Sequence, residues 1–358
     1  MSTVLNAEVS RAANGAADHS LHAIPFPEFT SPAYLQNGHL QTVVGAYLPY
    51  SHRLAPIQHR VTLSDGDVVV LHDDRPAAWQ PGDQMALLLH GLAGCHQSSY
   101  MVRVADKLAQ RGVRTWRMDH RGVGAGVGLA RKPYHAGRSQ DALDAVRFLR
   151  ELEPQSPIAL IGFSMSGNIV LKLAGEQADR LDRNIQSLVA VAPPIDLNLC
   201  ADRFQRGANP IYGKRFVRGL IRRVDQQLAE TKLPEFRLPT RPRSLFQFDD
   251  IFTSRVSGFA NARDYYAQSS SNTLLARITV PTLILAAEDD PMIPSSMFSD
   301  TPLSSTIRLH VTRHGGHLGF VGRPGIDGDR RWMDWRIVDW VTTLATSPTR
   351  ESGPALAR

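Results

Sequence analysis

The chain has 358 residues and only two cysteines, Cys95 and Cys200. Two thiols give neither a disulfide framework nor the spacing of a cysteine zinc site. The thirteen histidines show no His-Glu-x-x-His spacing or comparable cluster, so no metal and no cofactor is expected. No stretch approaches the ~18 consecutive apolar residues that a transmembrane helix requires. Residues 1–20 lack a basic start followed by an apolar core, so no secretory signal is expected, and a cytoplasmic, reducing location follows as the expectation. Charge of either sign is nearly balanced: 40 Lys and Arg stand against 34 Asp and Glu, a formal +6. Arginine clusters at 215–223 and 237–243 lack the repeated aromatic platforms of a nucleic-acid stripe, so they are taken as a solvated or lipid-facing surface and no nucleic-acid partner is expected.

What remains is an ordinary globular composition, 42% hydrophobic and 21% charged, in a chain long enough for one large core with an insertion or for two domains. Residues 1–22 are small and polar and are expected to be disordered. A Pro- and aromatic-rich arm, 23–55, should wrap the main body; within it Asn37-Gly38-His39-Leu40-Gln41-Thr42 suggests a loop or capping role for His39. Two β-like runs, 59–63 and 68–72, flank the turn Ser64-Asp65-Gly66-Asp67. Strands then alternate with helices: apolar strands at 85–89, 113–118, 157–161 and 187–192, with helices at 98–111, 140–153 and from 169. This rhythm predicts an α/β chain with a doubly wound, mostly parallel sheet, its site beyond the carboxyl ends of the strands. It breaks over 195–277, which is helical, basic and proline-punctuated, with its clearest helix at 216–228, and it resumes with strands at 281–287 and 306–311 and a helix at 331–344. The expected organisation is therefore a core over 56–194 and 278–345, a helical cap over 195–277, and a tail over 346–358.

The stretch around which this is organised is Gly162-Phe163-Ser164-Met165-Ser166-Gly167-Asn168. A serine between a buried strand and a tightly packed helix is either a helix cap or a nucleophile whose sharp turn lifts the hydroxyl out of the sheet. The second glycine usual in such a turn is here Ser166. A serine nucleophile needs a base, and the base an orienting acid. After the strand at 281–287 stand Glu288, Asp289 and Asp290. Asp290, at the head of Asp-x-x-x-Pro on the loop leaving the strand, is favoured over Asp289, with Glu288 capping or facing solvent. After the last strand, Gly315-Gly316-His317-Leu318-Gly319 lets a loop approach the serine closely, which favours His317 over His314. His90-Gly91-Leu92-Ala93-Gly94 follows another strand. The backbone N–H groups of Leu92 and Met165 would face a developing oxyanion, with His90 a structural hydrogen-bonder. Cys95 has no imidazole assigned to it and is set aside as a nucleophile. In the cap, Phe204, Ile211, Tyr212, Phe216 and Leu220 suggest an apolar acyl pocket, with Phe204, Tyr212 and Phe216 as the substrate-binding candidates.

With these residues in hand the chain resembles an α/β-hydrolase, and more narrowly the YheT-like esterase family, whose relatives include plant embryo-specific EMB8-type proteins. The resemblance runs over about residues 26–340. It rests on the Asn37-to-Thr42 arm, His90-Gly91-Leu92, Tyr134-His135-Ala136-Gly137, Gly162 to Asn168, Phe248-Asp249-Asp250, Gly258-Phe259, Asp264-Tyr265-Tyr266, Asp289-Asp290-Pro291 and Gly316-His317-Leu318-Gly319-Phe320. It implies an eight-stranded α/β-hydrolase sheet with an inserted cap, a triad falling on Ser164, Asp290 and His317, and carboxylester hydrolysis without a cofactor. Some relatives are membrane-anchored and act on phospholipids; no anchor is evident here, which favours small-molecule or other soluble, lipid-like esters of short to medium acyl chains. An acyltransferase or lipase with the same triad, and a ligand-binding module that has lost turnover, are the competing expectations.

Overall fold

Unbroken apolar runs such as Met-Ala-Leu-Leu-Leu can be satisfied only by covering both faces of a sheet, and this is what the computed structural model shows. It describes residues 21, 24–206, 209–325 and 327–345. The expectations for 1–22 and 346–358 lie outside the described residues, except that Leu21 is buried. The strands are β1 (Ile57–Thr62), β2 (Val68–Asp74), β3 (Met85–Leu89), β4 (Arg114–Asp119), β5 (Ile158–Phe163), β6 (Ile185–Val191), β7 (Thr282–Ala287) and β8 (Ile307–Thr312). They form one eight-stranded sheet in the order β1-β2-β4-β3-β5-β6-β7-β8. The β1–β2 and β2–β4 pairs are antiparallel; the other five are parallel.

The α-helices of seven residues or more among the described residues are α1 (Gly38–Tyr47), α2 (Ser99–Ala109), α3 (Ser139–Leu152), α4 (Met165–Gln177), α5 (Leu197–Arg203), α6 (Pro210–Thr231), α7 (Ala262–Ser269) and α8 (Trp332–Ala345). Side chains alternate across each strand. Met85, Leu87, Leu89 and Leu160 enter one core with Ala142, Val146 and Leu149 of α3 and Ile169 and Val170 of α4. Ala86, Leu88, Ala159 and Ile161 enter the other with Met101, Val104 and Leu108 of α2 and Ile337, Val338 and Trp340 of α8. The antiparallel side of the sheet is cross-linked by buried ion pairs between β2 and β4: Arg114 holds Asp73 through two bonds of 2.8 and 2.7 Å, and Arg117 Nε bonds Asp74 at 2.7 Å. Removing one partner would strand a buried charge, at a cost of about 3–5 kcal/mol.

Two elements differ from the sequence reading. The arm carries a ten-residue helix, α1, started by the Asn37 side chain, which accepts from the N–H groups of His39 and Leu40. Five glycine or β-branched residues among its ten, Gly38, Thr42, Val43, Val44 and Gly45, weaken its intrinsic helical signal, and its form depends on what it packs against. The helix expected at 216–228 is the middle of the longer α6. Within 195–277, Leu220 and Val224 of α6 pack with Phe236, Phe248 and Phe252 in a small core of their own; the last two belong to a helical run from Leu245 to Ser257 interrupted by a π turn, Asp249–Thr253. Among the described residues no helix is long and apolar enough to cross a membrane.

Candidate active site

Ser164 sits between β5 and α4 with φ 52° and ψ −120°, a conformation that L-residues rarely adopt. It is held there by its neighbours. Its N–H donates to Val191 O of β6 at 2.8 Å, and Gly167 N–H donates back to Ser164 O at 2.8 Å. A Cβ on Gly162 would lie 2.1 Å from Ser166 O, so only glycine lets the helix start this close to the strand. Ser166 does not disturb the turn. Its buried hydroxyl donates to His90 O and meets His120 Nε2 at 2.8 Å, tying α4 to the ends of β3 and β4. Burial pushes His120 down to about 4 and His90 well below the ordinary imidazole range, so both rings are neutral near pH 7 and suited to hydrogen bonding.

The loops after β7 and β8 bring two of the other candidates to Ser164. His317 Nε2 is 2.9 Å from Ser164 Oγ, and His317 Nδ1 is 2.8 Å from Asp290 Oδ2. The other Asp290 oxygen accepts from the N–H groups of Met292 and Ile293 at 2.8 and 3.0 Å, which fixes the carboxylate plane in a buried site. The rivals are employed elsewhere, and with each other. Asp289 Oδ1 accepts from Gly316 N–H at 2.8 Å, and its second oxygen faces His314 Nδ1 at 3.4 Å. Glu288 is exposed.

The loop after β3 is braced from three sides. Gly91 N–H donates to Tyr100 Oη at 2.9 Å, Ala93 N–H donates to Tyr134 Oη at 3.2 Å, and the Arg223 guanidinium of α6 donates to Ala93 O and Gly94 O at 2.7 and 2.8 Å. Between these engaged groups, Leu92 and Met165 line the same cavity as Ser164 and His317. Met165 opens α4, where backbone N–H groups lack intrahelical partners. Phe204 and Phe216 line this cavity of about 80 Å³ together with Leu197, Cys200 and Ala201. Asp249 also reaches it; burial raises its carboxyl to about 6 against the opposing hydrogen bonds from Tyr266 and Thr253. Tyr212 does not line that cavity. It lines the adjoining open cleft, where its hydroxyl bonds His39 Nδ1 at 2.9 Å and the two rings stack. The arm contains no partner for His39, and α6 supplies one. Cys95 lines neither space.

The sequence reading missed the role of α1. His317 N–H donates to Thr42 Oγ1 at 2.8 Å, and the amide of Gln41 pairs with both backbone groups of Val321, at 2.9 and 3.1 Å. Arg331 donates to Gly45 O and Leu48 O at 2.7 Å each. The signal was present as the polar Gln41-Thr42 in an arm without a core, but no local rule names its distant acceptors. Other stretches that carry the resemblance are braces: Asn168 Nδ2 donates to Ala136 O at 3.1 Å and Ser269 O at 2.8 Å, and Tyr265 Oη accepts from Ala136 N–H at 3.0 Å.

One group of side chains has metal-ligand spacing among the described residues, His72, His96 and Asp119, which the sequence left scattered. Asp119 Oδ2 already accepts from His72 Nε2 at 2.9 Å, His96 Nδ1 at 2.7 Å and Ala125 N–H at 3.1 Å. Three donors on one oxygen fit a structural knot better than an ion site.

Comparison with known proteins agrees with this architecture. A family model described as "alpha/beta hydrolase fold" matches residues 87–324. The chain is 30% identical to "Putative esterase YheT" of Escherichia coli (strain K12), over 88% of this chain and 93% of that one. It is 25% identical to "Monoacylglycerol lipase ABHD2" of Danio rerio, over 86% of this chain and 76% of that one. Among solved structures, the Pyrococcus furiosus esterase Pf2001 superposes with a TM-score of 0.54 at 15% identity, over 90% of this chain and 99% of that one. With the model spanning well over half the sequence and the sheet order, elbow and strand-end loops all in place, the chain belongs to the α/β-hydrolase family.

Proposed function

We propose that the chain is a serine carboxylesterase acting through an acyl-enzyme on Ser164. The observation that carries this reading is the unbroken chain Ser164 Oγ to His317 Nε2 at 2.9 Å and His317 Nδ1 to Asp290 Oδ2 at 2.8 Å. His317 takes the hydroxyl proton as Ser164 Oγ attacks the ester carbonyl, and Asp290 holds the imidazole in the tautomer that leaves Nε2 free to accept. The Leu92 and Met165 N–H groups receive the oxyanion. As the tetrahedral adduct collapses, the bond to the alkoxy oxygen breaks and His317 gives its proton to that oxygen. Water, deprotonated by the same ring, then releases the acid and restores Ser164. The cavity holding Phe204 and Phe216 takes the acyl chain, and its volume of about 80 Å³ favours short to medium chains. The segment 195–277 serves as the cap over this site. The esterase and lipase names of the relatives support the same class of reaction.

The test is labelling by a fluorophosphonate, with the adduct mapped by mass spectrometry, followed by a chain-length panel of esters. The expected adduct is on Ser164, and Ser164→Ala abolishes both labelling and hydrolysis. An adduct on Ser166, or undiminished hydrolysis by the Ser164→Ala variant, would overturn the reading.

A further inference from the structure

Two spaces meet at Ser164 and His317, and they differ sharply in charge. Apart from Ser164 and His317, the inner cavity is lined chiefly by apolar side chains with Tyr265 and Tyr266, and its one carboxyl, Asp249, would repel a second anion there. The outer cleft, about 970 Å³, runs between α1, the loop after β3, and α6. Along α6 it is lined by Lys214, Arg215, Arg218 and Arg222. Positions 214, 218 and 222 repeat every four residues, so they lie along one face of the helix. Among the described residues none of these four has a carboxylate partner; Arg215 instead lies over the Tyr47 ring of α1 at 5.7 Å, spanning the cleft. Asp225, the acid of α6 nearest in sequence, is taken by Arg241 at 2.8 Å. Arg103 also reaches the cleft, but it is bound to Asp334 at 2.8 Å. No Asp or Glu among the described residues lines this cleft.

A cleft lined by one sign of charge, with a low-dielectric wall beside it, concentrates counter-ions of the other sign. An ester bound across Ser164 must divide between the two spaces. Its acyl chain fits the apolar cavity, and its alcohol part is left in the basic cleft, on the route by which the leaving group departs. Resting on the esterase reading above, we propose that the substrate is an acyl ester whose alcohol moiety carries an anionic group, a phosphate or a carboxylate, held by Lys214, Arg215, Arg218 and Arg222. The bond changes are those of ester hydrolysis; the cations bind the departing alcohol and exchange no proton with it.

The probes are two esters that stay monomeric, the butanoyl esters of glycerol 3-phosphate and of glycerol, with butanoyl lactate as the carboxylate counterpart. Wild type is expected to show a kcat/KM about tenfold or more higher for at least one anionic ester than for the neutral one at low ionic strength. The preference should shrink once salt shortens the Debye length to about 3 Å near 1 M. In the Arg215→Gln/Arg218→Gln/Arg222→Gln variant most of the preference is lost through KM, whereas the corresponding triple Arg→Lys variant retains it. Equal labelling of Ser164 by fluorophosphonate in both variants shows that the site is intact. Equal kcat/KM for charged and neutral esters in wild type overturns the proposal. So does a preference that survives the glutamine substitutions, or one seen only with esters presented in anionic vesicles, which would make this face a membrane-docking surface. If Ser164→Ala hydrolyses all three esters like wild type, the esterase reading fails instead.

Discussion

Gly45 tests whether α1 positions the histidine or merely covers it. Gly45 lies inside a helix, and by intrinsic propensity alone Gly→Ala there should stabilise by about 0.8–1 kcal/mol. The packing says the opposite. A Cβ at Gly45 would stand 2.4 Å from Gly319 Cα and 3.3 Å from Gly319 C, both of them backbone atoms that no rotamer can move. Relief to an ordinary carbon contact of about 3.5–4 Å requires α1 and the loop to part by about 1 Å or more. Overpacking of this kind costs about 1–3 kcal/mol, which outweighs the propensity gain. Parting the two would also lengthen the 2.8 Å bond from His317 N–H to Thr42 Oγ1 and move the ring that stands 2.9 Å from Ser164 Oγ. A misplacement of about 1 Å at a reacting group can lower the rate by about 10²-fold. Gly45→Ala is therefore expected to unfold earlier in a thermal melt and to lose one to two orders of magnitude in kcat. The rate of fluorophosphonate labelling should fall in parallel, because it reports serine activation without acyl transfer to water. A folded Gly45→Ala variant with kcat and labelling rate within about twofold of wild type would refute the reasoning.

Ser166→Gly restores the usual elbow residue but removes two buried hydrogen bonds, leaving the His90 carbonyl and His120 Nε2 only their mutual contact at 3.3 Å; it should lose about 0.5–1.5 kcal/mol per bond in chemical denaturation and gain no activity, and a more stable variant would contradict the bonding described. Asp290→Asn is expected to cut kcat by about 10³–10⁴-fold, whereas Asp289→Asn keeps the Gly316 contact and should cost far less; equal losses in steady-state assays would mean that the wrong acid is assigned. Asp249 makes a pH prediction. Burial raises its carboxyl to about 6 from an ordinary 3.8, so between those values the unfolded chain binds fewer protons than the folded one. Its contribution is fully present below the lower value and is lost as pH rises through the higher, on the order of 3 kcal/mol in all. Asp249→Asn should flatten this part of the stability profile measured by melting from acid to neutral pH, and an unchanged slope would assign the loss to other groups.

The sequence by itself determined everything that depends on neighbours along the chain. The apolar runs at 85–89 and 157–161 had to be strands buried on both faces, and their alternation with helical stretches pointed to a mostly parallel sheet with its site beyond the carboxyl ends of the strands. The elbow was legible at Ser164 because glycines flank it where backbone must approach backbone. It placed Asp290 and His317 in order on strand-end loops and favoured them over Asp289 and His314, but which of these side chains meet depends on three-dimensional reach. In the fold His317 and Asp290 meet beside Ser164, while His314 and Asp289 face each other at 3.4 Å. The same limit hid α1. Gln41 and Thr42 have partners some 280 positions away in the chain, and a hydrogen bond of that span leaves no periodicity to read. The separation of an apolar cavity from a basic cleft was equally out of reach, since the arginines of α6 look like any solvated helix until the fold sets them beside Ser164. Local chemistry specifies which groups can react; only packing determines which of them meet.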